Sequence, residues 1–230
     1  MTSAPQAVST GTGAGTGTGT GDDVRIVLPA GTRVPALVPP EIFAAAVDTF
    51  VAGQRLDMRS LARRIGVARA TLYRRVGNRE QLLDQVLWWR ARRLLADHVQ
   101  ASADLAGTAR LSAVIGGVLH AVAADGPLHV FLEADPETAL RLLTGARSTV
   151  HKGMAAALES LIDLERARGS FDASLDTRTL AYAILRVSEG FLYSDVIADR
   201  VPDIGRAVTV IDALLRGLDL ANRAPIRDRS

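Results

Sequence analysis

The sequence predicts an all-α protein: an N-terminal three-helix helix-turn-helix DNA-binding domain followed by a larger C-terminal helical domain. Three observations predict it. Apolar residues recur at three- and four-residue steps from Ile42 to Leu218, and no alternating strand pattern is sustained. Two short helical stripes meet at Gly66 in an arginine-rich setting. Charge is also divided unevenly. Residues 41–100 hold eleven arginines against six acids, whereas residues 101–230 hold fourteen basic groups against seventeen acids, within a net charge of only +2. A polyanion is drawn to the first part and repelled by the second.

Residues 1–38 read as a disordered low-complexity tail, because the near-alternation of Thr and Gly from Thr10 to Gly21 cannot bury enough surface to fold. Glycines at strict two-residue spacing do not make a phosphate loop. A flexible arm into a DNA groove is the alternative, disfavoured because that stretch carries no Arg or Lys. Val24 to Leu28 is apolar enough for a short extended segment. Pro39-Pro40 opens the first helix, striped by Ile42, Phe43, Ala46, Val47 and Phe50 and ended at Gly53. Asp57 is placed to cap a second helix whose inner face is Met58, Leu61, Ala62 and Ile65. Gly66 supplies the left-handed turn and Val67 plugs the angle between helices. Ala68 to Arg75 forms the third helix with Leu72 inward, which leaves Arg69, Ala70, Thr71, Tyr73 and Arg74 free to face a groove. Gly77 stops it, and Asn78 with Gln81 makes a capping box for a fourth helix from Arg79 to Ala101.

Beyond it, Leu111 to Val122 is a clean helical stripe, stopped by Asp125-Gly126-Pro127. Asp135-Pro136 opens a short helix to about Leu143, Ala146 to Arg168 is another, Asp176 caps one running to about Ala198, and Pro202-Asp203 opens the last, to about Ala221. The last two are apolar nearly all round, so each is buried on more than one side, either as central core helices or against a partner subunit.

The segment Ile65-Gly66-Val67-Ala68, Thr71-Leu72-Tyr73 and Asn78-Arg79-Glu80-Gln81-Leu82-Leu83 resembles the DNA-binding domain of the TetR family of bacterial transcriptional regulators. Ala68 stands where that pattern has a serine, so the third helix lacks a side-chain cap; Ala70 replaces a frequent Gly, Val76 an aromatic and Arg79 a lysine. The resemblance implies a domain plan of residues 39–83 for the DNA-binding head, 84–222 for a ligand-binding and dimerisation domain, and 223–230 for a tail. It implies a homodimer joined through the last two helices and acting as a repressor released by a small-molecule effector. The phrase Ser188-Glu189-Gly190-Phe191-Leu192-Tyr193-Ser194-Asp195 with Val201-Pro202-Asp203 is similar to the QsdR-type subgroup, which implies a quorum-sensing γ-lactone or acyl-lactone.

Residue chemistry then assigns roles. Arg69 and Arg74 suit base edges, since a guanidinium pairs bidentately with guanine. Thr71, Tyr73, Arg75 and Arg79 suit phosphates, Arg79 from the first turn of its helix. Each arginine could equally be a solvated charge. Polar and aromatic residues set within apolar helices are the effector candidates: Trp89, His120, His129, Phe131, Tyr182, Arg186, Glu189 and Tyr193. Tyr182, Arg186, Glu189 and Tyr193 fall at helical spacing on one face, where Arg186 and Glu189 could instead be a buried ion pair. No metal or cofactor is expected: the chain has no cysteine, and its histidines lack partners at ligand spacing. No G-x-S-x-G, H-E-x-x-H or phosphate loop supports an enzyme. The rival classes are an all-α enzyme and a helical interaction protein without a DNA role. No apolar run has membrane-span length and the start lacks a signal peptide, so a cytoplasmic protein with no membrane role is expected.

Overall fold

The computed structural model describes residues 38–194 and 202–223, with side chains placed to Asp219. The expected tail, the Val24–Leu28 segment and residues 224–230 lie outside the described residues. All regular structure among the described residues is helical. The helices are α1 Pro40–Val51, α2 Met58–Arg64, α3 Arg69–Val76, α4 Arg79–Ala101, α5 Gly107–Ala123, α6 Gly126–Ala134, α7 Pro136–Thr144, α8 Thr149–Ala167, α9 Thr177–Glu189 and α10 Ile204–Arg223.

Local chemistry sets the head. The Asp57 carboxylate accepts from Ser60 N–H at 2.8 Å and starts α2. That bond holds the Asp57 carboxyl below its ordinary range. Gly66 turns the chain at φ 70° and Gly77 ends α3 at φ 73°. The Asn78–Gln81 capping box closes in both directions at 2.8 Å and launches α4. Ile42, Ala46, Phe50, Leu61 and Leu72 are buried together beneath the bihelical corner.

α4 is the spine. It packs on α1 in the head and on α5, α7 and α8 beyond it. Gly153 lets α8 close on it: a Cβ there would lie 2.3 Å from the Trp88 ring. The buried Arg110 guanidinium meets Glu165 at 3.0 Å, and Glu165 also accepts from Gly107 N–H at 2.7 Å, tying α5 to α8.

Three boundaries differ from the sequence reading. Asp125-Gly126-Pro127 ends α5 but also opens α6, where Asp125 accepts from Leu128 N–H at 3.2 Å; a proline near a helix start reads as a stop when the helix is only nine residues long. α8 starts at Thr149, not Ala146, because Ser148 caps it by accepting from His151 N–H. α9 ends at Glu189 and continues as a wider π-helical turn, Gly190–Ser194; 195–201 fall outside the described residues. No single helix among the described residues is long and apolar enough to cross a membrane.

Candidate DNA interface and effector cavity

α3 presents a basic outer face. Arg69, Ala70, Tyr73, Arg74 and Arg75 are exposed and Thr71 is half-buried, while Leu72 and Val76 anchor the inner side. Arg69 lies over the Tyr73 ring at 5.4 Å, so the two flat groups stand as one unit before any ligand arrives. Ala68 gives α3 no side-chain cap, which leaves its first amide groups open to a phosphate oxygen. Arg79 departs from its expected role. Its guanidinium donates to the Leu56 carbonyl at 2.9 Å and to Asp135 at 2.9 Å. It therefore clamps the α1–α2 loop to the α6–α7 joint, and the same contact holds the Asp135 carboxyl below its ordinary range. Asp135, expected to cap α7, makes no side-chain cap bond there, and its Oδ2 instead receives Arg79.

The C-terminal domain encloses a cavity of about 680 Å³, within the range of drug-sized ligand sites. α4, α5, α8 and α9 supply its apolar walls, with Leu94, Val118, Leu119, Met154, Leu158 and Leu185 among them. Val47, Phe50 and Val51 of α1 complete the wall, so the cavity is shared between the head and the domain behind it. The inner polar end is built on α8, α9 and the π-helical turn. Glu189, buried, takes His151 Nδ1 at 2.7 Å on one carboxylate oxygen and Arg186 Nη1 at 2.6 Å on the other. The widened turn after Gly190 brings Leu192 and Tyr193 inward beside them. Burial, reinforced by Glu189, pushes the Tyr193 hydroxyl well above its ordinary range, so it stays a donor. At the other end Arg90 pairs with Asp125 and stacks over Phe50 at 5.4 Å.

Of the effector candidates, Trp89, Glu189 and Tyr193 line this cavity. The others do not. Phe131 packs edge-on against Phe50, with ring centroids 6.0 Å apart, and lines a small crevice at the head junction. His120 is exposed, its Nδ1 2.8 Å from the Gly116 carbonyl oxygen, and half-buried His129 is not in the wall. Tyr182 is 56 % exposed beneath the Arg186 guanidinium, which sits 5.2 Å from its ring centroid. The shared face of α9 is thus split: Tyr182 and Arg186 lie outside the wall, Glu189 and Tyr193 inside it. His151 and Ser188 were missed. The ring pairs with a carboxylate 38 residues away, a relation no local pattern carries. Among the described residues no cluster of His, Asp and Glu has metal-binding geometry.

A helix-turn-helix with a basic outer helix, joined by one spine to a helical domain with an apolar cavity, defines a regulator class. A family model described as the tetracyclin repressor-like C-terminal domain matches residues 106–216. The structure is similar to the transcriptional repressor QsdR of R. erythropolis, a TetR-family protein, at 27% identity and TM-score 0.69, covering 77% of this chain and 93% of that one. It also resembles in fold FadR of Bacillus subtilis, solved with stearoyl-CoA, at 18% identity and TM-score 0.54 over 77% of this chain and 97% of that one. FadR of Bacillus halodurans, a fatty acid degradation regulator, gives 22% and 0.52 over 77% and 93%. No curated protein matches by sequence. Residues 106–216 thus match the tetracyclin repressor-like C-terminal domain, and the fold is that of TetR-family regulators.

Proposed function

We propose that the chain is a transcriptional repressor that binds a near-palindromic operator as a homodimer and is released by a small apolar or amphipathic effector. One observation carries this reading: the effector-sized cavity takes part of its wall from α1, the helix that supports the DNA-reading corner. A ligand that prefers a different α1 position changes DNA affinity by the factor by which DNA changes ligand affinity. The repressor role follows the likeness to QsdR, itself a repressor; a γ-lactone effector follows the resemblance of the C-terminal sequence phrase to that subgroup.

Dimerisation is proposed through α9 and α10. Tyr182 is 56 % and Val210 43 % exposed, and Val187 and Leu214 are only half-covered within one chain. Two heads then address half-sites about 34–36 Å apart. Arg69 and Arg74 read base edges, while Thr71, Tyr73 and Arg75 hold phosphates. Residues 39–83 form the head and 84–222 the sensor, in a cytoplasmic protein that acts by binding rather than catalysis.

The test is a fluorescence-anisotropy titration of the DNA upstream of its own gene, with random duplex as control and γ-alkyl lactones as competitors. Specific binding that Tyr73→Ala and Arg74→Ala each weaken, with circular dichroism unchanged, supports the reading. A monomer with no preference for that fragment refutes it.

A further inference from the structure

The cavity has a buried polar end and an exposed rim. His151, Ser188, Glu189 and Tyr193 are all buried at one end. Val51, Arg93 and Asp97, all exposed, stand at the other. Between them the walls are aliphatic.

The deep end has polar atoms to spare but no spare charge. Arg186 already answers Glu189 at 2.6 Å. His151 Nδ1 lies 2.7 Å from the Glu189 carboxylate, so a proton sits between them and the ring's other nitrogen, Nε2, is left over. The Ser188 hydroxyl is spent on the Ile184 carbonyl at 2.8 Å. Neither the Tyr193 hydroxyl nor His151 Nε2 has a hydrogen-bond partner among the described residues. An ionised head group there would lose its water without gaining an unpaired counter-charge. An uncharged oxygen accepts from the Tyr193 hydroxyl at far lower cost.

The mouth is shared with the DNA-binding head. Val47, Phe50 and Val51 come from α1, and the Phe50 ring is pinned beneath Arg90, which is paired with Asp125 at the start of α6. A ligand confined to the deep end touches only sensor helices. A ligand that reaches the mouth meets α1 and the Arg90–Asp125 pair.

We infer that the effector is a linear amphiphile held head-inward, with an uncharged oxygen accepting from the Tyr193 hydroxyl and a chain whose length is read by Val47, Phe50 and Val51 of α1. This rests on the proposed function and adds a separable consequence: occupancy and DNA release part company below a threshold chain length.

The experiment uses the full chain and two neutral probe series, γ-lactones bearing butyl, octyl and dodecyl chains and the matching n-alkanols, with the n-alkyl carboxylates as charged controls. Calorimetry reads binding and anisotropy on the upstream DNA reads release. All neutral probes bind, more tightly as the chain grows. The butyl lactone at saturation leaves DNA affinity within about twofold, and the dodecyl lactone lowers it at least about tenfold, within the usual span of allosteric coupling. Carboxylates bind at least about tenfold more weakly than lactones of equal length, the cost of desolvating an uncompensated charge. Tyr193→Phe weakens lactones of every length by about fivefold, one hydrogen bond, without moving the threshold. Val51→Trp, at the exposed rim, moves the threshold to a shorter chain when release is scored against that variant's own ligand-free DNA affinity. Release that follows occupancy at every length overturns the inference, as do carboxylates binding as well as lactones, or no binding by either neutral series. Those outcomes leave the proposed function standing. Failure of the ligand-free protein to bind DNA removes the proposed function and this inference with it.

Discussion

In the head, Arg59, Arg63, Arg74 and Arg75 are all exposed; behind it, Arg110 is 1 % exposed and held by Glu165 at 3.0 Å. The same side chain does opposite work in the two regions. Outward arginines keep their charge available for a polyanion and contribute little to folding. The inward one is committed to the fold, where removing one partner strands the other charge without water. The difference teaches that the basic balance of the head is usable charge, whereas the sensor, with an acidic excess over residues 101–230, also commits an arginine to its interior. Arg110→Ala therefore carries the largest stability effect expected in this chain, a loss of about 3–5 kcal/mol in denaturant unfolding. A loss below about 1 kcal/mol would mean that water reaches the pair, and the contrast between regions would fail.

The next effect probes how the sensor is packed rather than charged. A methyl group at Gly153 would stand 2.3 Å from the Trp88 ring, between α8 and α4. Gly153→Ala should cost about 1–3 kcal/mol, the usual penalty for overpacking. An unchanged midpoint in urea would show that Trp88 can move aside, and that the spine is held less tightly than the buried contacts imply.

How far the two regions could be read from sequence follows from the reach of their interactions. Asp57, Asn78 with Gln81, and Asp176 are satisfied by residues three positions away, so each cap was visible in a short window. Gly66 and Gly77 were visible for the same reason. The effector cavity was not. His151 meets Glu189 across 38 residues and Arg90 meets Asp125 across 35, distances over which spacing carries no information. Arg79 shows the same limit in the head. A basic residue in the first turn of a helix looks identical whether a phosphate or a carboxylate 56 residues onward will receive it. Tyr182 and Tyr193 share a helical face in sequence, but the π-helical turn Gly190–Ser194 carries Tyr193 inward, a change of period that spacing does not show.

Arg79 joins the two regions, so it gives a sharper and smaller test. Its guanidinium depresses the Asp135 carboxyl, a group part-exposed at the α6–α7 joint. A carboxyl depressed on folding stabilises the folded state above its unfolded value, about pH 4, and loses that contribution as pH falls through its folded value. Arg79→Leu should therefore be less stable than the parent at pH 7 by about 1 kcal/mol or less, as for a solvent-screened pair. That deficit should narrow below about pH 4 as Asp135 takes up its proton. It should not vanish, because the bond to the Leu56 carbonyl is lost at every pH. A deficit constant from pH 7 to pH 3 would assign the clamp to the carbonyl alone.

The smallest stability effect belongs to Arg74→Ala, and its smallness is the point. Arg74 is exposed on α3, and no salt bridge includes it among the described residues. Replacing it should change unfolding free energy by no more than about 0.5 kcal/mol, the usual range for surface sites. The same substitution should weaken binding to a specific duplex by about 1–3 kcal/mol if the guanidinium reaches a guanine edge, and relax selectivity at that base pair. A phosphate contact would instead weaken all sequences alike and reduce the salt dependence of binding by about one ion. Measuring Arg74→Ala beside Arg110→Ala, each for stability and for DNA affinity, crosses the two regions with the two readouts. Large stability loss from Arg74→Ala would remove the distinction between free and committed arginines on which the assignment of α3 as the reading helix rests.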